Sequence, residues 1–275
     1  MNQNLDRSPK ISLVISDVDG TIINQDKILT QRTKAAVKQL QQTEILFTIT
    51  SARPPFGLKF LVDVLGLQHP LGAFNGGTLL KPNFDVIDST PLAPEIIPEI
   101  MVTIEDFGLN AWLCTNRHWY LKDPQGVHVE HHARTLRCKP TVINSYQDIS
   151  DEIVKIVGVG QDVDTVAQCE AAAQQKFDSQ LSATRSQPFY LDITQPNANK
   201  GMVVTKLADY LSIPTSEILT IGDGYNDVSM FKQSGFSVAM GNASKEVQQQ
   251  ASYVTSSNRE EGFANAIEKF VLKYS

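Results

Sequence analysis

The stretch Ile11-Ser12-Leu13-Val14-Ile15-Ser16-Asp17-Val18-Asp19-Gly20-Thr21 decides how the chain reads. Ile11 to Ile15 is a short run dominated by apolar residues, closed by two aspartates and a glycine. A run of that length ended by a glycine turn predicts a buried parallel strand. Open parallel sheets bind ligands at the carboxyl ends of their strands, which is where Asp17 and Asp19 fall. One carboxylate can face the crevice while the turn brings the second close, leaving a gap for a phosphoryl group.

The same rhythm continues on both sides of an insert. Thr30 predicts an N-cap for a helix that carries Val37 and Leu40 inward. A second apolar run, Ile45 to Thr50, leads to Pro54-Pro55, which suits the first turn of a helix ending towards Gly66. Leu71 to Asn75 reads as a third strand. Near the C-terminus come a helix from Met202 to Leu211, a strand from Ile218 to Ile221, a helix from Val228 to Ser234 and a strand from Phe236 to Met240. An amphipathic helix from Phe263 to Tyr274 closes the chain. Alternating strands and helices predict right-handed crossovers and a doubly wound, Rossmann-like parallel sheet. The middle differs, with a helix from Pro94 to Phe107 and aromatic-rich strands from Ala111 to Cys114 and His118 to Leu121. Another strand, Ile153 to Val159, precedes an alanine-rich helix, Thr165 to Phe177, and a strand near Phe189 to Ile193. The expectation is an α/β core, 1–81 and 192–275, interrupted by an α+β insert, 82–191.

Four polar clusters fall at or beside strand ends: Asp17/Asp19, Ser51, Lys200 and Asp223/Asn226/Asp227. Taken singly, each has a plain structural reading as a turn, a satisfied hydroxyl, a solvated charge or a helix cap. Together and in this order they describe an oxygen-rich site for a hard cation with few carboxylates, completed by a substrate phosphate. An acid-rich site repels a phosphate dianion, and a metal ion plus Lys200 offsets that charge.

The 275 residues include 41% hydrophobic and 20% charged residues, with a formal net charge of −6. That composition describes a folded protein of one large or two moderate domains and argues against disorder. An acidic chain is a poor match for nucleic acid or an anionic membrane surface. No run approaches the ~18 apolar residues of a membrane span, and Met1 to Lys10 lacks the apolar core of a secretion signal. Cys114, Cys138 and Cys169 are widely spaced and read as free thiols, which makes a cytoplasmic location the expectation and Asn242-Ala243-Ser244 a coincidental sequon. All five histidines lie between His69 and His132, away from the clusters above. His128, His131 and His132 have helical spacing that brings them near one face, yet a cap surface is the better reading than a zinc site. Gly158-Val159-Gly160-Gln161-Asp162-Val163 lacks the third glycine of a dinucleotide fingerprint and reads as a loop before the helix. Trp112, Trp119 and Tyr120 read as core of paired strands.

These motifs resemble those of the haloacid dehalogenase-like superfamily, and within it the Cof-type phosphatases with a large α/β cap (subfamily IIB). The resemblance spans the whole length. Asp17-Val18-Asp19-Gly20-Thr21 is similar to the first motif, Ser51-Ala52-Arg53-Pro54 to the second, and Asn199-Lys200-Gly201 to the third. Gly222-Asp223-Gly224-Tyr225-Asn226-Asp227-Val228-Ser229-Met230 is similar to the fourth, and Phe74-Asn75-Gly76 to the turn leading into the cap. The resemblance implies a phosphatase of small phosphate monoesters, such as sugar phosphates, requiring Mg²⁺. Asp17 would attack phosphorus. Asp19 would serve as acid and base, its main-chain carbonyl also touching the metal. Ser51, with the Ala52 position and Lys200, would hold the phosphoryl group; Asp223 would bind Mg²⁺, with Asn226 and Asp227 binding or orienting its shell. The metal set is thus Asp17, Asp19, Asp223 and Asp227. The second motif is more often Thr-Gly-Arg, and Ala52 lacks glycine's access to positive φ. A sugar phosphomutase and a non-catalytic binding protein share this architecture and stay open as alternatives. Dehalogenase and ion-pump chemistry fit poorly, since those proteins generally lack the aspartate corresponding to Asp19. The partner expected is a small phosphorylated metabolite.

Overall fold

The computed structural model describes residues 10–272. The segment read as lacking a secretion signal and the end of the closing helix, beyond Leu272, lie outside the described residues. The first apolar run forms β1 (Leu13–Ser16), wholly buried. Thr30 caps α1 (Gln31–Leu40) as expected, its hydroxyl accepting from the Thr33 amide at 3.1 Å. The second run forms β2 (Leu46–Ile49), and Pro54-Pro55 opens a short turn into α2 (Lys59–Leu65), which ends at a left-handed Gly66.

Leu71–Ala73 forms β3, but not as a full parallel strand. It touches β2 through a single parallel bridge, Thr50 to Gly72, and pairs antiparallel with β4 (Thr78–Leu80), which pairs with β5 (Val86–Ser89). A chain that turns back at once through Phe74-Asn75-Gly76 has too few residues for a crossover helix, so a hairpin is the only connection available.

The insert contains α3 (Ile97–Asp106), β6 (Asn110–Cys114), β7 (Trp119–Leu121), α4 (Val129–Leu136), β8 (Thr141–Val142) and β9 (Lys155–Val159). It continues with α5 (Val163–Phe177), β10 (Ser182–Gln187) and β11 (Tyr190–Thr194). Its strands make one sheet in the order β10-β11-β9-β6-β7-β8, antiparallel except for β7 with β8. Alternation divides this sheet. Leu113, Ile156, Leu191 and Ile193 pack with Ile100 and Ile104 of α3 and Val166 and Ala173 of α5. Trp112, Val157, Val159 and Tyr190 belong to the opposite face, where Val129 of α4 packs.

The chain then returns through α6 (Lys200–Leu211), β12 (Ile218–Gly222), α7 (Val228–Gln233), β13 (Phe236–Ala239), α8 (Lys245–Gln248), β14 (Tyr253–Val254) and α9 (Gly262–Phe270). The core sheet runs β14-β13-β12-β1-β2 and is parallel throughout. Its strands are apolar on both faces because helices cover both. Val14, Leu219 and Ile221 face α1 and α9, while Leu13, Ile15 and Ile218 face α6 and α7. This is the doubly wound layering expected for a parallel sheet. No helix among the described residues is long and apolar enough to cross a membrane.

Candidate active site

β1 and β12 are parallel neighbours in register, Ser16 opposite Ile221, so their carboxyl ends finish side by side. Asp17 and Asp223 are the next residues out. The Asp17 amide still donates to the Ile221 carbonyl at 2.8 Å, which fixes the backbone from which its carboxylate projects. The turn after Asp17 requires Gly20: its φ is +90°, and a Cβ there would lie 2.2 Å from Asp223 Oδ2. The sequence therefore brings Asp17 and Asp223 together by strand register and by one glycine.

Lys200, the first residue of α6, is 1% exposed and carries its ammonium between two carboxylates. It donates to Asp17 Oδ1 and, at 2.6 Å, to Asp227 Oδ1. Asp227 Oδ2 accepts from the amides of Asp223 and Gly224, both at 2.8 Å. Asp227 thus has one oxygen on the lysine and the other closing its own loop. Asp223 Oδ1 accepts from the Thr21 hydroxyl and Oδ2 from the Asn242 amide, each at 3.0 Å.

Asp17, Asp223 and Asp227 each offer a carboxylate oxygen within 4.8 Å of the others. Burial and crowding raise the cost of ionising Asp17 and Asp223. Burial pushes the Asp17 carboxyl well above its usual range against the pull of Lys200. Burial, and then the Asp227 charge, push Asp223 to about 6. Converging, partly uncompensated hard oxygen donors suit a divalent cation of the Mg²⁺ type.

Asp19 stands apart from this trio. Its carboxylate is gripped by Arg53, Nε donating to Oδ2 at 2.7 Å and Nη2 to Oδ1 at 2.8 Å, while Lys27 donates to Oδ1 at 2.8 Å. Although burial opposes it, the hydrogen bonds and charge of Arg53, with Lys27, hold Asp19 down at about 2. The Asp19 side chain is thus turned to two cations and away from the three carboxylates, and the expectation for Asp19 at a metal concerns its main-chain carbonyl.

Ser51 follows β2 and is buried; its hydroxyl accepts from the Arg53 amide at 3.2 Å. Ala52 is half-buried and is not among the positive-φ residues, so this turn makes no demand for glycine. Asn226 is exposed and donates to Asn75 Oδ1 at 2.9 Å. Asn75 sits in a left-handed turn with Phe74 and Gly76, and a Cβ at Gly76 would lie 2.3 Å from the Asn199 carbonyl oxygen. That contact seats the turn against the residue that caps α6.

Sequence reasoning gave no role to Arg53, Lys27, Thr21, Asn75 or Asn242. Asn242 follows β13 just past its carboxyl end, a position the strand-end rule marks. Lys27 carries no such signal, for its reach to Asp19 comes from a tight turn in which Asn24 Oδ1 accepts from the Asp26 and Ile28 amides.

A family profile described as haloacid dehalogenase-like hydrolase matches residues 14–267. The chain belongs to this family. A Haemophilus influenzae protein, named provisionally as a phosphatase, is 30% identical over 93% of this chain and 97% of its own length. The Bacillus subtilis 5-amino-6-(5-phospho-D-ribitylamino)uracil phosphatase YwtE is 29% identical over 93% of this chain and 96% of its own. A haloacid dehalogenase-like hydrolase from Bacteroides thetaiotaomicron superposes with a TM-score of 0.88 at 26% identity, covering 94% of this chain and 99% of that one. The subclass IIB sugar phosphatase BT4131 has the same fold, with a TM-score of 0.81 at 21% identity over 94% and 98% of the two chains. The haloacid dehalogenase-like fold thus comprises the parallel core sheet and a separate cap sheet.

Proposed function

We propose that this haloacid dehalogenase-like protein is a phosphatase of small phosphate monoesters that works through an aspartyl-phosphate on Asp17. The observation that carries the reading is the buried Asp17–Lys200–Asp227 array at the carboxyl ends of β1 and β12, with Asp223 beside it. A buried lysine between two carboxylates is costly to desolvate and poor evidence for stability, so its value lies in chemistry.

Lys200 holds Asp17 Oδ1, which leaves Oδ2 as the attacking atom. As the Oδ2–phosphorus bond forms, the bond from phosphorus to the leaving oxygen breaks, and the alcohol takes a proton from Asp19. Water then attacks phosphorus, gives its proton to Asp19, and the Asp17–phosphorus bond breaks to release phosphate. While paired with Arg53 and Lys27, Asp19 is ionised and donates nothing. Proton donation therefore requires Asp19 to turn off Arg53 and arrive protonated. Ser51 and the backbone around Ala52 bind the phosphoryl oxygens, and Asn226 orients the loop that carries Asp227. Asp17 and Asp223 would hold Mg²⁺, with Asp227 set behind them and the Asp19 main-chain carbonyl as a further oxygen. When bound, the ion neutralises charge on the transferring phosphoryl oxygens.

The division into core and cap, 1–81 with 192–275 and 82–191, belongs to this proposal. The pairing of β5 with β4, and of β11 with β9 and β10, supports crossings a few residues later than these bounds, within 90–96 and 195–199. A sugar phosphate is the substrate class favoured, in line with the hydroxylated phosphate named for YwtE. A mutase needs a basic second phosphate site in the cap. Lys122 pairs with Glu105, Arg134 with Glu130, and Arg137 lies over the Phe60 ring, so these cations gather at no common point.

Asp17→Asn removes the nucleophile with little change in shape. Hydrolysis of p-nitrophenyl phosphate should fall to background in a variant with a native circular dichroism spectrum. Near wild-type turnover would refute the covalent route.

A further inference from the structure

Lys155 and Asp192 form an ion pair between neighbouring strands β9 and β11, with side chains 11% and 8% exposed. Asp192 lies opposite Val157, two positions from Lys155, so both project on the sheet face that turns away from α3 and α5. Three rings share that face. Trp112, Trp119 and Tyr190 surround His132 of α4, with centroids 4.8, 4.9 and 5.7 Å from the imidazole. The Trp119 indole nitrogen and the Tyr190 hydroxyl are buried and have no hydrogen-bond partner among the described residues. Buried polar atoms left unpaired call for a reason.

Two separate lines of contact tie this patch to the reaction centre. On one side, Val154 donates to the Cys114 carbonyl at 2.9 Å and packs on Gly77, where an added Cβ would lie 3.2 Å from it. Gly77 is two residues from Asn75, whose side chain meets Asn226 of the catalytic loop. On the other side, Arg53 holds Asp19 and also donates through Nη1 to the Thr135 carbonyl at 3.5 Å, one turn of α4 from His132. Burial first, and then the Lys155, His131 and Arg53 charges, weigh against protonation of His132.

We infer that the Lys155–Asp192 pair, on the sheet face it shares with Trp112, Trp119 and Tyr190, is the subsite that selects a neutral, hydroxyl-rich leaving group. The inference rests on the phosphatase reading and names what its cap recognises. The pair sums to zero charge, so it offers no field for a second phosphate dianion. An ammonium donor beside a carboxylate acceptor matches neighbouring hydroxyls, each of which donates and accepts. Aromatic faces cover the C–H surface of such a group. The pair is also poorly explained by stability, since apolar residues of like volume often serve a fold as well or better.

The test uses the full chain with Mg²⁺ and compares p-nitrophenyl phosphate with glucose 6-phosphate and ribitol 5-phosphate. Wild type should prefer at least one of the hydroxylated esters by kcat/KM. The double variant Lys155→Met/Asp192→Leu, which leaves no lone buried charge, should lose at least ~10-fold of that preference, chiefly in KM. Turnover of p-nitrophenyl phosphate and the melting temperature should hold, which separates recognition from folding. Should the double variant misfold, Asp192→Asn keeps the size and removes only the acceptor charge, and the same loss of preference is expected. A wild type with no preference, or a folded variant that keeps it, overturns this inference while leaving the phosphatase reading intact. A wild type inactive on every ester sinks the phosphatase reading and this inference with it.

Discussion

Lys200 sets the charge balance of the site, because it alone separates Asp17 from Asp227 at full burial. Lys200→Met leaves two buried carboxylates without their cation, a change that costs about 3–5 kcal/mol. Chemical denaturation should show that loss, and millimolar Mg²⁺ should recover part of it along with little of the activity. Unchanged stability would mean that the two carboxylates do not depend on the lysine. Most of these residues were legible from sequence for one reason: Asp17, Ser51 and Asp223 each follow an apolar run that could only be a buried strand. Arg53 was visible only as a letter of its motif, since nothing in spacing says that its guanidinium turns back to Asp19. Lys155 and Asp192 were invisible as a pair, being 37 positions apart on strands separated by α5 and β10.

Elements that bury one clear face were the easiest to foresee, and α4 shows the limit. His128, His131 and His132 have helical spacing, yet His128 is the left-handed residue before the helix and His131 is exposed. Only His128 and His132 join the aromatic cluster, His128 stacking on Phe189 at 4.5 Å. In the same way Trp112 and Trp119 share a face, while alternation sends Tyr120 to the other. The two-residue strands β8 and β14 are exposed and carry no periodic signal at all. His132 also gives α4 a pH signature. Burial first, then Lys155, His131 and Arg53, push it from 6.5 to about 3. Between those values the unfolded chain binds the extra proton, so stability falls as pH drops below about 6.5 and is untouched above it. His132→Gln should flatten the stability profile on the acid side, by up to ~2 kcal/mol at pH 5 relative to neutral. Urea midpoints across pH would show it; parallel profiles for the two proteins would contradict it.

The whole molecule joins a doubly wound core, which supplies the charges, to a cap sheet whose α4 rests on the core through Arg53 and Thr135. The layering was legible because a parallel sheet demands two helical faces, whereas the hairpin that pairs the expected third strand, β3, with β4 was not, and β3 meets the core through the parallel Thr50–Gly72 bridge. A metal held by Asp17 and Asp223 should couple to global stability. Saturation at ~100 times Kd raises it by ~2.7 kcal/mol, so chelation should lower the melting temperature as it abolishes turnover, with Mg²⁺ restoring both. Full activity in excess chelator would contradict the oxygen-rich site, and rescue by Zn²⁺ alone would move the chemistry elsewhere. The central claim, that phosphate passes through Asp17, is reached most directly by trapping it. Asp19→Asn removes the base that drives hydrolysis of the aspartyl-phosphate, a step worth ~10²–10⁴-fold, but spares attack on a good leaving group. Mixing this variant with p-nitrophenyl phosphate and quenching within milliseconds should give a burst of nitrophenol. Mass spectrometry should then place one added phosphoryl group on the peptide carrying Asp17. A linear release of nitrophenol with an unmodified Asp17 peptide would contradict the covalent account.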